Sequence, residues 1–508
     1  MIFSANLGIC IAIVAYLAFV IGIGIKCMKQ NADTKDFYLG GRKLGPFVTA
    51  MSAEASDMSS WLLLGLPGVA YTIGLADAFW TALGLGIGTY VNWRIVARRL
   101  RSYTEGAGNS TTLPEFFSKR FHDDRKVLSV IAAIVIIIFF VPYTGSGFAA
   151  CGKLFSTLFG IDYMTAMIIS AVVIVFYTCL GGFMAASTSD FWQSIIMSIA
   201  IVVILGFGTI TAGGVGAVAD NARSLAGYFS LTAMHVDGAA EPYGLLTIVS
   251  TMAWGLGYFG MPHILLRFMA IEDERKLKLS RRVASVWVFI AMGVAILIGI
   301  VGNAASAAGA IEKLDDGETI LIVIAQLLAQ NGFVFALIAG LILAGVLAAT
   351  MSTADSQLLA ASSSASEDII KNLFAKNMST KQSMIVARIT LILIAIVGVF
   401  IARDPNSSVF QIVSFAWAGF GAAFGPVVLA ALFWKRTTKQ GALAGMVSGG
   451  ITIFVWKFVV RPMGGVLNIY ELLPAFVVAG LFIIVVSLLT PAPSEAVIKE
   501  FEEAKRHK

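Results

Sequence analysis

Four short runs in this sequence set groups able to bind a cation or a zwitterion inside otherwise apolar stretches. In Met51–Gly68, MSAEASDMSSWLLLGLPG, Glu54 and Asp57 stand among Ser52, Ser56, Ser59, Ser60 and alanines. A carboxylate facing hydrocarbon costs several kcal/mol, so acids in such a run face a protein interior. Small neighbours permit an interrupted helix, and an interruption frees backbone carbonyls, which are ligands for a hard monovalent cation. The competing reading is a helix packed against a neighbour by its small residues, with Asp57 hydrogen-bonded structurally. In Trp254–Pro262, WGLGYFGMP, the residues Trp254, Tyr258 and Pro262 recur every four positions and so share a helix face, while Gly255, Gly257 and Gly260 weaken the helix between them. Two amphipathic aromatics beside a flexible backbone could enclose a compact zwitterion, and a Trp face attracts an ammonium group. An interfacial aromatic belt is the plainer alternative, but a belt needs neither three glycines nor a proline.

The third run, Ala348–Ser356 (AATMSTADS), closes a long apolar stretch with Ser352, Thr353, Asp355 and Ser356. Neutral hydroxyls and carbonyls suit sodium, which keeps its charge on binding. Ser352 and Asp355 are three apart and share a face, although a polar helix end in water accounts for Asp355 as well. The fourth is Asp190 in AASTSDFWQS, near the inner end of a span. It reads either as an acid stabilising a helix N-terminus or as a relay on an ion's exit route. Taken alone, Tyr143 after Pro142 reads as packing, Phe415–Leu429 (FAWAGFGAAFGPVVL) as a close helix contact, and Gly181-Gly182 as a turn.

Positioning such groups is work for membrane helices. Of 508 residues, 58% are hydrophobic and 13% charged, and mean hydropathy is +0.85; a soluble domain carries about 25% charge. No polar linker divides the chain. The expected class is an all-α polytopic membrane protein, one unit over 1–490 with a short polar tail at 491–508. About 20 apolar residues span a bilayer. Thirteen spans are expected near 6–26, 45–73, 76–97, 127–155, 162–180, 188–212, 243–263, 283–305, 319–350, 384–402, 406–433, 440–460 and 470–490. The second, about 43 Å long if fully helical at 1.5 Å per residue, fits a tilted or broken helix. With the first loop inside, 30 of the 36 Lys and Arg residues fall on the cytoplasmic side and six opposite, which puts the N-terminus outside and the C-terminus inside. If span 6–26 is peripheral, 45–212 and 243–433 form two five-helix repeats of inverted topology, and 440–490 carries the last two helices.

Composition also excludes. Cys10, Cys27, Cys151 and Cys179 form no CxxC or Cys/His cluster, so no metal or redox motif is present. The net charge of +6 sits in loops between spans rather than in a nucleic-acid patch. Leu7–Ile25 lacks a preceding basic region and a following cleavage motif, so it reads as a retained span. No nucleotide loop or catalytic triad points to an enzyme.

At these residues the chain resembles the sodium–solute symporter family, from about 35 to 490. The runs that carry the likeness are LGGRKLGPFVTAMSAEASDMSSWLLLGLPG, WGLGYFGMPHILLRFMA, MSTADSQLLAASSSASEDI and FAWAGFGAAFGPVVL, the second and fourth being specific to the proline branch. The resemblance implies a leucine-transporter-type five-plus-five inverted repeat with extra helices, usually thirteen in all. It implies a sodium site from the carbonyls of Ala55, Met58 and Ala349 with the hydroxyls of Ser352 and Thr353. Asp57 matches the acid needed for sodium. Ser59, Trp61, Tyr143, Trp254, Tyr258 and Pro262 match the proline pocket, and Asp190, Ser352, Asp355 and Ser356 a second cation site in some relatives. Glu54 and Ser60 depart from the small glycines of the proline branch and bear on coupling and selectivity. The function so implied is symport of sodium with L-proline by alternating access in a bacterial inner membrane, with membrane lipid around it and neither nucleic acid nor an obligate protein partner. Alternatives are a sodium- or proton-coupled importer of a betaine or another amino acid, and a membrane solute sensor, which usually carries a long cytoplasmic domain.

Overall fold

The computed structural model describes residues 2–28, 34–106, 108–371 and 378–506; Lys29, Lys376 and Lys508, counted above among the inner-side cations, lie outside the described residues. Among the described residues nine helices are long and apolar enough to cross a membrane. The spans expected at 45–73, 76–97 and 243–263 are built from shorter pieces, which carry part of the candidate site.

The chain opens with α1 (Ile2–Met28). The span expected at 45–73 is two helices, α2 (Pro46–Asp57) and α3 (Leu66–Ile73), joined through a wide turn at Trp61–Gly65. Pro46 at the first position starts α2 with its φ already set for helix. At Met58 the backbone leaves the helix (φ −74°, ψ 68°). Gly74 then turns the chain into α4 (Leu75–Val91), which passes through a wide turn at Asn92–Val96 into α5 (Ala97–Gly106). Next come α6 (Val127–Phe159), with Pro142 inside, and α7 (Tyr163–Thr211). The last contains two limbs that reverse at Gly182 (φ 61°, ψ −160°), a conformation reserved for glycine. The Tyr177 and Ser189 hydroxyls, twelve residues apart, touch across the reversal, so the expected turn at Gly181-Gly182 is present.

A small antiparallel hairpin, Ala233–Val236 with Ala239–Pro242, interrupts the helical architecture. Its turn is Asp237-Gly238, both at positive φ, the sequence that fits a two-residue hairpin. The span expected at 243–263 is again broken: α8 (Leu245–Met252), a tight helical run over Ala253–Phe259, and α9 (Pro262–Ala270) restarted by Pro262 after an extended Met261. Then follow α10 (Leu277–Ala307) and α11 (Phe333–Ser363). The stretch 319–350, expected as one span, is instead a short helix Ile320–Ala329 and the first part of α11, divided by Asn331 and a left-handed Gly332 (φ 120°). The apolar runs on both sides concealed an Asn-Gly turn. The chain ends with α12 (Thr380–Ile401), α13 (Val409–Phe433), α14 (Lys439–Val455), α15 (Leu472–Leu489) and α16 (Glu495–Arg506).

The two broken helices lie together. Leu44, just before α2, exchanges backbone hydrogen bonds with the end of α9, through Leu44 N–H to Ala270 O (3.2 Å) and Glu272 N–H to Leu44 O (3.0 Å). Gly84 and Gly88 of α4 meet the backbone of Met252 and Gly255, where no Cβ would fit. Small residues here allow backbones to approach closely, as the membrane interior favours. Of the cysteines, Cys27 and Cys151 are buried, Cys179 is half-buried and Cys10 is exposed on the outer surface of α1.

Candidate functional site

The breaks free backbone oxygens, and α11 supplies hydroxyls to meet them. Ser352 Oγ donates to Ala55 O at 2.7 Å and also lies 3.1 Å from Ala349 O, so one hydroxyl bridges the first broken helix and α11. Thr353 is buried beside it with an unpartnered hydroxyl. Met58 follows directly at the break, its N–H held by Glu54 O at 2.7 Å. The structure therefore brings Ala55, Ala349, Ser352 and Thr353 into one buried, oxygen-rich place with no acid bonded to it. Such a donor set fits a monovalent ion that needs its charge solvated rather than cancelled.

Asp57 faces the second break instead. The Tyr258 hydroxyl donates to its Oδ2 at 2.5 Å, the Trp61 indole N–H donates to its carbonyl at 2.9 Å, and Oδ1 has no partner. Glu54 points to α4, where the Trp93 indole (2.8 Å) and the Thr89 hydroxyl (3.3 Å) donate to Oε1 while Oε2 is unpartnered. Both acids are fully buried. Among the described residues no Lys, Arg or His forms an ion pair with either. Three residues apart on one helix, they are neighbours on its surface.

The expected pocket residues converge on the same region. Trp61 lies 6.1 Å from Trp254 between ring centres, and Tyr258 meets Trp417 edge-on at 5.0 Å. Tyr143 sits 6.4 Å from the ring of His263, the neighbour of Pro262, and its buried hydroxyl has no hydrogen-bond partner among the described residues. Ser60 is buried with a free hydroxyl. Trp254 is not in an interfacial belt: it is 4% exposed and stacked on Tyr470 at 5.3 Å, with Phe410 also at 5.3 Å. Beyond these rings, on the Gly74 side, a cavity of about 750 Å³ is lined by Asp77, Tyr243, Lys457 and Arg461 among others. Trp254, Phe410 and Tyr470 line this cavity too.

Nearer the start of α2, around Ser52, charge replaces aromatic stacking. Asp190 is buried eight residues into the second limb of α7, too deep to stabilise a helix N-terminus. Ser52 Oγ donates to its Oδ2 at 2.6 Å and Arg267 Nη2 pairs with the same oxygen at 3.2 Å. Arg267 also donates to Ser356 Oγ at 2.5 Å and to His263 O at 3.0 Å. Ser356 in turn lies 3.1 Å from Asp355, which is fully buried and not in water. Asp190, Asp355 and Ser356 are thus gathered, as expected, but around a guanidinium.

Arg267, one of the 30 cations counted on the inner side, is not in a loop: it lies in α9 and is 1% exposed. Its signal was available, since it stands inside the apolar run HILLRFMA. Trp417 was read as packing, but its indole N–H donates to Trp254 O at 2.7 Å and its ring fills the space a Cβ on Gly257 would need. Glu318, which drew no notice, accepts from Lys153 Nζ (2.8 Å) and from the Val409 and Phe410 N–H groups (both 3.1 Å), capping α13. Only tertiary contact reveals it.

A family model described as the sodium:solute symporter family matches residues 37–449. A curated sodium/proline symporter of Escherichia coli K12 is 41% identical over 497 residues, covering 97% of this chain and 95% of the relative. One from Staphylococcus aureus USA300 is 40% identical over 509 residues, covering 99% and 96%. Among solved structures, a substrate-bound, outward-open sodium-coupled sialic acid symporter aligns with a TM-score of 0.78 at 17% identity, over 96% of this chain and 99% of that one. Mhp1, a nucleobase-cation symporter in a closed conformation, aligns at 0.56 and 13% identity, over 93% and 99%. These likenesses establish a leucine-transporter-type fold.

Proposed function

This chain belongs to the sodium:solute symporter family, and we propose that it couples inward sodium flow to uptake of L-proline by alternating access. The observation that carries the reading is the Ser352 hydroxyl spanning Ala55 O and Ala349 O. In this reading those oxygens, with Met58 O and the free Thr353 hydroxyl, take the sodium ion. The ion then ties α2 in the first repeat (45–212) to α11 in the second (243–433), and 440–490 lies outside both.

Sodium bound there holds the break of α2 in place. Asp57 and Ser59 follow directly on that helix, so the ion preorganises one wall of the substrate pocket. Proline is then held among Trp61, Tyr143, Trp254, Tyr258 and Pro262, its ring on the aromatics and its charged ends on freed backbone groups and hydroxyls. By linkage, proline tightens sodium binding as much as sodium tightens proline. The Asp190 cluster with Asp355 and Ser356 already holds a cation of its own, Arg267, so the transported sodium is assigned to the Ser352 site alone. Trp254, Phe410 and Tyr470 close the Gly74 side, which the charge distribution places outside; the Arg267 network closes the inner side. One charge crossing 100 mV contributes about 2.3 kcal/mol to accumulation.

Glu54, buried with one oxygen free, favours a second reading in which a proton accompanies or replaces sodium. The deciding experiment is uptake of labelled L-proline by the purified protein in liposomes, with an inward sodium gradient at fixed pH or an inward proton gradient without sodium. Sodium-driven accumulation supports the first reading, and proton-driven accumulation the second. No uptake under either gradient sinks proline as substrate.

A further inference from the structure

Where α4 turns into α5 beside the start of α10, an open groove of about 420 Å³ gathers Arg94, Arg98, Arg275, Lys278 and Arg281 against one acid, Glu274. Two of the cations are answered: Arg98 pairs with Glu274 at 3.4 Å and Arg275 with Asp273 at 2.8 Å. Arg94 and Lys278 have no ion pair among the described residues. The Arg281 guanidinium lies 5.5 Å from the Tyr90 ring centre, with its Nε unpartnered. Three cations therefore face one groove without counter-charge.

The walls change character along the helices. Farther from the loop, Ile87 and Tyr90 on α4 and Phe289 on α10 are 45%, 46% and 47% exposed, and the Phe289 ring lies against Gly86, closing the two helices together. An exposed apolar strip thus runs into a cluster of unpaired cations, which matches the outline of a lipid with an anionic head. We propose that this groove is a binding site for an anionic phospholipid, the phosphodiester held among Arg94, Lys278 and Arg281 and an acyl chain lying on Ile87, Tyr90 and Phe289. A zwitterionic head brings its own ammonium into the same surplus of positive charge and is held less well. The floor of the groove is Trp93, whose indole N–H is the donor to Glu54 at 2.8 Å. The lipid head therefore sits one side chain away from the first broken helix. The site needs only the membrane setting and stands whichever solute is carried.

The test titrates the delipidated full-length protein, in a neutral detergent, with phosphatidylglycerol, with phosphatidylcholine of the same acyl chains, and with inorganic phosphate, and counts bound molecules by native mass spectrometry. Phosphatidylglycerol is expected to bind at least about tenfold more tightly than phosphatidylcholine, as attraction by several basic residues implies. Phosphate alone should not be retained. The variant R94Q/K278Q/R281Q should lose the preference, and a control changing the exposed Lys381, Lys435 and Lys499 to Gln should keep it. Equal binding of the two lipids, a preference that survives the groove variant, or retention of phosphate alone would each overturn the proposal. The wild-type lipid comparison decides the matter even if the groove variant fails to fold.

Discussion

The two broken helices at the centre of this protein are broken by different means. In α8–α9 the interruption rests on backbone chemistry: Gly255, Gly257 and Gly260 allow close contacts that a Cβ would block, and Pro262 restarts the helix. In α2–α3 neither glycine nor proline lies between Asp57 and Trp61. That break is held by hydrogen bonds instead: Met58 N–H to Glu54 O, Ser59 N–H to Asp57 O at 2.8 Å, and the Trp61 indole to Asp57 O. A break built by steric fit is fixed, whereas one built from hydrogen bonds can be remade when an ion or substrate arrives. On this ground α2–α3 is expected to be the responsive half of the site and α8–α9 its scaffold.

Substitutions can separate the two. The largest effect is expected from Gly260→Ala, because the added Cβ would meet Phe420 O and the Gly425 nitrogen at 2.7 Å, backbone that cannot step aside. A loss of about 3 kcal/mol is expected, toward the upper end of overpacking costs, read as a lowered thermal midpoint in detergent; a wild-type midpoint would show that the second break is not set by fit. Next is Tyr258→Phe, which removes a side-chain hydrogen bond joining the breaks and leaves Asp57 Oδ2 buried without a donor. This costs about 2 kcal/mol, expected as weakened proline and sodium binding together in calorimetry. If only proline binding changes, the breaks are not coupled through this bond.

Asp57→Asn keeps the shape and removes the capacity to carry a negative charge. The sodium concentration for half-maximal uptake is expected to rise about tenfold, equivalent to about 1.4 kcal/mol, with the thermal midpoint little changed; unaltered sodium activation would return Asp57 to a structural role. The smallest effect is expected from Glu54→Gln, since an amide oxygen can still accept from Trp93 and Thr89. Sodium-driven uptake should stay within about threefold, less than 1 kcal/mol, with an unchanged pH profile. A shifted profile would instead make Glu54 a proton carrier and the first break an acid–base device.

Much of this was readable from the chain. Glu54, Asp57, Ser352 and Thr353 announced themselves as polar groups in apolar runs, and the glycines and Pro262 marked the second break. The first break was legible only through its acids, because nothing between Asp57 and Trp61 is a helix breaker. The burial of Arg267 was not legible to a window that sums charge, which cannot tell a cation at a span end from one turned inward to Asp190. The division of 319–350 went unread because Asn331-Gly332 lies between two runs apolar enough to merge.

The amino-acid sequence by itself determined that the chain crosses a membrane repeatedly, and that a few places in it must be buried and paired, because hydrocarbon tolerates neither unbonded backbone nor bare charge. It could not decide the pairings. That Asp57 meets Tyr258 and not the oxygens around Ser352, that Glu54 turns to Trp93, and that Asp190 finds Arg267 depends on contacts between residues 39 to 201 positions apart. Helix periodicity fixes the direction in which a side chain leaves its own helix, but only packing decides which neighbour stands there.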